Sequence, residues 1–170
     1  MDTFFEQIVA IKKDGKYIAS VLGVWFAALF LCFLTFLFSG YIGSLFILVM
    51  AGIIYGAFKL SGLFNIEYEY IVTNGVMDID KIINKSSRKR LSSFELSDVS
   101  RLEKFNAEQI ANVDKKNLVV CCNPKIDDAY LMVYKKEGKN AEYVVFSPNQ
   151  KMQGAIIKFL PKFIANSAFK

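Results

Sequence analysis

Residues 67–81 read EYEYIVTNGVMDIDK. Two alternating runs flank Asn74-Gly75, the dipeptide that suits a type I′ turn because both of its central positions take positive φ. A two-residue turn there sets Tyr70 opposite Ile79 and Val72 opposite Met77, and with Tyr68 these side chains form one apolar face. Glu67, Glu69, Asp78 and Asp80 share the other face, with Glu69 opposite Asp80. Like charges placed so destabilise a strand pair, so compensation is expected. The basic run that follows, Lys85, Arg88, Lys89 and Arg90, supplies it best. Solvated repulsion comes second, and a divalent cation third, since that would need more oxygen ligands from a loop.

Upstream the chain is apolar. Tyr17 to Phe38 is a run of 22 residues without a charge, and Tyr41 to Phe58 is another of 18. A bilayer-crossing helix needs roughly 20 predominantly apolar residues. Spans over 17–38 and 41–60, separated by Ser39-Gly40, predict a helical hairpin with both ends on one side of a membrane. Lys12, Lys13, Lys16 and Lys59 lie at the open end, which places both termini in the cytoplasm by the positive-inside rule. No ionisable residue falls between Tyr17 and Phe58, which argues against an ion path. Small residues recur at Gly23, Ala27, Gly52 and Gly56. With the turn at Ser39-Gly40, Gly23 faces Gly56 and Ala27 faces Gly52, so packing of the hairpin's own helices is favoured over a homodimer seam. Residues 1–16 place Phe4, Phe5, Ile8 and Ile11 at helical spacing and predict an interfacial amphipathic helix.

Downstream, residues 65–170 form a cytoplasmic piece of 106 residues. NKSSRKR (84–90) reads as a polar connection. LSSFELSDVSRLEKF (91–105) alternates and then slips phase, which predicts a bulge or a strand break. NAEQIANVDKK (106–116) reads as a loop with one helical turn. Strands follow in NLVVCCN (117–123), AYLMVYK (129–135) and AEYVVFS (141–147), the last two joined by a turn over 137–140. The period then changes. Ser147 is the expected N-cap and Pro148 the first helical residue, and Met152, Ala155, Ile156, Phe159 and Phe163 form an apolar stripe that Pro161 ends or kinks.

The expected fold is thus a membrane α-helical hairpin followed by an antiparallel β domain of six or seven strands, closed by a C-terminal amphipathic helix. That order resembles the PH-like superfold, in particular bacterial PH-like domains fused to membrane spans. NIEYEYIVTNGVMDIDKIIN (65–84) and FSPNQKM (146–152), behind two spans, are similar to a family of small two-span Firmicute membrane proteins. The resemblance implies a fold and brings no site residues with it, and fold does not fix function.

The composition points away from catalysis. There is no His, the commonest general base, and no Gly-rich phosphate loop. Cys32 lies inside a span, and Cys121 and Cys122 are adjacent, so neither a disulfide nor a zinc site is expected. No cofactor or catalytic residue is assigned. Residues 65–170 carry 17 Lys/Arg against 13 Asp/Glu. Lys85, Arg88, Lys89 and Arg90 are therefore candidate contacts to anionic lipid headgroups, though a solvated basic turn that balances the acidic face is favoured. Nucleic acid is not expected, because no aromatics interleave the run. The function expected is a membrane-anchored, non-catalytic binding or assembly module acting on a protein partner or a second copy. The alternative is a subunit of a membrane-associated enzyme or other larger complex.

Overall fold

The structure is a computed structural model that describes residues 3–123, 125, 128–135 and 140–169. The chain forms two compact units. One comprises Met1–Ile11, Glu67–Ile82 and Ser87–Lys170, and the other Lys12–Ile66 with Ile83–Ser86.

The second unit is a helical hairpin. Helix α1 (Gly15–Leu37) starts where the Asp14 carboxylate accepts the Tyr17 N–H at 2.9 Å. The chain reverses through a short helix α2 (Ser39–Ile42) and a 3₁₀ turn (Gly43–Leu45), with Gly43 at φ +61°, into α3 (Phe46–Gly62). Both Gly15–Leu37 and Ser39–Gly62 are long and apolar enough to cross a membrane. The reversal extends beyond the expected Ser39-Gly40. That slides every depth-matched pair, and the buried residues of the two helices are Ala28 and Ala57. Gly23, Ala27, Gly52 and Gly56 are consequently not the tight contact expected of them. A Cβ added at any of the three glycines would meet nothing within 4 Å. Ala27, Gly52 and Gly56 instead line a groove of about 310 Å³ between α1 and α3. Close approach occurs at Gly62, where a Cβ would lie 2.8 Å from the Asn84 side chain. Asn84 also donates its backbone N–H to Asn65 at 2.8 Å.

In the first unit, strand β1 (Phe4–Ala10) pairs antiparallel with β2 (Ile66–Thr73), from Phe4 opposite Thr73 to Ala10 opposite Glu67. This overturns the interfacial helix expected over residues 1–16. FFEQIVA also alternates, its two Phe and its Ile8-Val9 pair suit a half-buried strand, and a ten-residue helix is marginal by itself. The β domain is accordingly not the contiguous stretch 65–170, because residues 1–11 belong to it.

Asn74 (φ +48°) and Gly75 (φ +90°) turn β2 into β3 (Val76–Ile83), as the dipeptide predicts. Tyr68, Tyr70, Val72, Met77 and Ile79 are all buried. Asn84 and Lys85, both at positive φ, turn β3 into β4 (Ser87–Glu95). Most of the basic run is thus strand, not connection. The phase slip after Leu96 is a change of sheet: a 3₁₀ turn (Leu96–Asp98) leads into β5 (Val99–Lys104), bulged between Val99 and Arg101. The helical turn in the following loop is a 3₁₀ turn, Ala107–Ile110, with an Asn106/Gln109 capping box.

Strands β6 (Leu118–Val120), β7 (Tyr130–Tyr134) and β8 (Glu142–Phe146) complete eight strands among the described residues, in two four-stranded sheets, β1-β2-β3-β4 and β5-β7-β8-β6. They do not form one closed barrel. Most of the turn expected over 137–140 lies outside the described residues. The β6–β8 pair is parallel, not antiparallel, because β7 takes the antiparallel place on β8's other side. Every residue of YLMVY in β7 is buried. Cys122, Ala129, Leu131, Val133 and Val145 form a cluster covered by Phe105, Ile110, Leu118 and Tyr143, which explains a continuous apolar run in place of alternation.

Helix α4 (Gln150–Ile157) is capped by Asn149, not Ser147: its side-chain oxygen accepts the Met152 N–H at 2.9 Å. Pro148 therefore precedes the cap. Helix α5 (Lys162–Ala165) restarts after Pro161. That break resets the helical phase, so Met152, Ala155 and Ile156 are buried as expected, Ile164 points inward, and Phe163 is 72% exposed. Helix α4 packs on β1 and α5 on β5.

Candidate functional site

The sheet gathers the basic run and the acidic face of the opening hairpin. Glu69 is fully buried, and its carboxylate lies 2.9 Å from the Arg88 guanidinium. Arg90 reaches Asp78 at 2.8 Å and also donates to Asp80, which is 7% exposed. The arginine side chains themselves remain half exposed. Alternation thus puts the acids on one face of the hairpin, and β4 brings the cations to them. Two of the four proposed headgroup contacts are thereby committed to carboxylates. Lys85, in the turn, and Lys89, on β4, are exposed and make no ion pair among the described residues.

Glu6 on β1 was missed by sequence reasoning because its segment was read as a helix; the alternation in FFEQIVA is the signal for it. Glu69 lies opposite Ile8, and Glu6, opposite Ile71, is its diagonal neighbour across the strand pair. Burial pushes the Glu69 carboxyl above its ordinary range, and the neighbouring Glu6 carboxyl adds to this. The charges of Glu6 and Asp80 push the same way, while Arg88 opposes them. Apart from the ion pair with Arg88, neither Glu69 oxygen has a hydrogen-bond partner of ordinary geometry among the described residues. No three His, Cys, Asp or Glu side chains among the described residues are placed to hold a metal ion.

Two further polar groupings lie inside. Ser92 Oγ and the Tyr134 hydroxyl are 2.6 Å apart, and Tyr134 donates to Glu142. Phe94 stacks on Tyr134 with 3.9 Å between ring centroids. Burial and the Glu142 carboxylate raise the Tyr134 hydroxyl, so it stays a donor. The Tyr70 hydroxyl donates to the Cys121 carbonyl at 2.7 Å and accepts the Ser147 N–H at 3.3 Å. Ser92 is only 6% exposed, and burial pushes the Cys121 thiol up. Ser92 and Cys121 are thus shut away from solvent, and a neutral buried thiol is inert. These groupings hold the two sheets together.

The architecture can now be compared with known proteins. A family model for a bacterial PH-like domain, DUF6106, matches residues 1–166. The chain belongs to this family. The match spans β1, both apolar helices and the two sheets. No curated protein and no solved structure matches the chain.

Proposed function

We propose that this family member is a membrane-anchored, non-catalytic binding or assembly module that presents its PH-like domain at the cytoplasmic face of a bacterial membrane. The observation that carries the reading is the pairing of β1 with β2. The two strands that flank the apolar hairpin in sequence are neighbours in one sheet, with Ala10 opposite Glu67. Residues before and after the hairpin must therefore share one compartment, and an anchor of two spans meets that condition. Lys12, Lys13, Lys16 and Lys59 support the cytoplasmic side. The burial of Ser92 and Cys121 and the lack of His support a binding role. Lys85 and Lys89 are the residues best placed to touch anionic headgroups, since Arg88 and Arg90 are occupied internally.

Cross-linking of the full chain in native membranes, followed by detergent extraction, tests this. A stoichiometric protein partner, or a defined homo-oligomer, supports the module. A monomer that turns over a lipid overturns it. For headgroup contact, amide exchange over residues 84–90 should slow when nanodiscs carry anionic lipid; equal exchange in zwitterionic discs removes that contact.

A further inference from the structure

Among the described residues four strands end the two sheets, and each leaves one row of backbone groups without a strand partner there. Three are poor receptors for another chain. β4 opens with Arg88-Lys89-Arg90, β6 is three residues long, and β1 carries Glu6 between Phe4 and Ile8. Charge and brevity are the usual guards of an exposed edge.

β5 differs. Ser100, Arg101, Leu102, Glu103 and Lys104 all line one cavity of about 380 Å³, shared with Phe163, Ile164 and Ser167 at α5. Successive side chains of a strand point to opposite faces, so a cavity touched by five consecutive residues runs along the strand's edge. The Phe105 N–H donates to the Ala129 carbonyl at 2.9 Å. By the alternation of an antiparallel ladder, Glu103 and Arg101 then turn their backbone groups to β7, while those of Leu102 and Lys104 face the cavity. The opposite wall offers Phe163, a ring 72% exposed.

An alternating row of N–H and C=O groups fits an extended polypeptide backbone, and neither a lipid nor a nucleic acid presents the matching row. Arg101 and Lys104 extend beside it, their side chains 54% and 67% exposed, and Lys162 stands exposed at the start of α5. Glu103 lies 2.5 Å from Arg101 and Asp128 3.4 Å from Lys104, so two of these cations have a carboxylate beside them and Lys162 adds a net positive charge next to the groove. We propose that this groove receives an extended segment of a partner protein, added as a fifth strand on β5, with apolar side chains against Phe163 and Ile164 and acidic ones toward Arg101, Lys104 and Lys162. Backbone pairing supplies affinity in such strand addition, and alternate side chains supply specificity. The inference rests on the binding-module reading and names its partner class.

A random linear-peptide display library, panned against the full chain in nanodiscs, tests it with two variants. Lys104→Pro removes an N–H that faces the groove and leaves the β7 ladder whole. Phe163→Ala removes an exposed ring. Enriched peptides should alternate apolar and acidic residues and bind each variant at least tenfold more weakly, with thermal midpoints unchanged. Should Lys104→Pro lower the midpoint, Phe163→Ala decides alone. Peptides that bind the variants as well as wild type overturn the groove and leave the module standing. An empty selection also overturns the groove, and the cross-linking result then decides the module separately. A wild-type dimer that Phe163→Ala turns into a monomer assigns the groove to a second copy and overturns the proposal.

Discussion

Glu69 is a buried carboxylate beside a second carboxylate, Glu6, with Arg88 as its counter-ion and Asp80 adding further negative charge. Its folded pKa lies above the ordinary 4.5, so the folded state holds the proton more tightly than the unfolded chain does. Stability contributed by this group is therefore present below 4.5 and lost as pH rises through the folded value. The thermal midpoint of wild type minus that of Glu69→Gln should become more negative as pH rises above 4.5, measured by circular dichroism. A difference that stays constant with pH would sink this assignment. Sequence alone showed the four carboxylates of the hairpin and the cations that answer them. It did not show Glu6, because a neighbour on another strand becomes visible only once that strand is known to be one.

At the level of elements, β1 is where helical spacing and strand alternation compete within one short segment. The ladder decides the matter: the Asn74 N–H donates to the Thr3 carbonyl at 3.1 Å. Alternation from that bond turns the Val9 N–H toward β2 and the Ile8 N–H away from it. Val9→Pro should thus cost about 1–3 kcal/mol more than Ile8→Pro, the range for an orphaned buried backbone group. Chemical denaturation in detergent measures this, and equal losses would refute the pairing. Elements marked by a strong local signal were legible: the Asn74-Gly75 turn, the change of period before α4, the slip after Leu96. What was not legible depended on distant partners. The parallel place of β6 is set by β7 and β8, and Phe163 is turned outward by a helix break whose phase follows from packing after Pro161.

For the whole molecule, the anchor and the domain make a joint prediction. Single cysteines introduced at Lys13 and at Asn65 of a variant lacking the native thiols should react with a membrane-impermeant maleimide from one side only, and from the same side. Labelling from opposite sides would break the two-span reading. The hairpin was plain in the sequence because apolar length is a one-dimensional property. Its internal packing was not, since moving the reversal toward Gly43 exchanged glycine contacts for Ala28 and Ala57.

The β1–β2 pair also carries a consequence for synthesis. β1 leaves the ribosome ahead of both helices, and the strand it must pair with follows only after they have been made. Until then its donors, acceptors and phenylalanines have no native partner. Its pairing costs loop-closure entropy that grows only slowly with length, and a formed helical hairpin already brings the ends of that loop together. Completion of the sheet therefore reports that the hairpin is in place. A chain whose helical hairpin failed to form would keep a loose first strand.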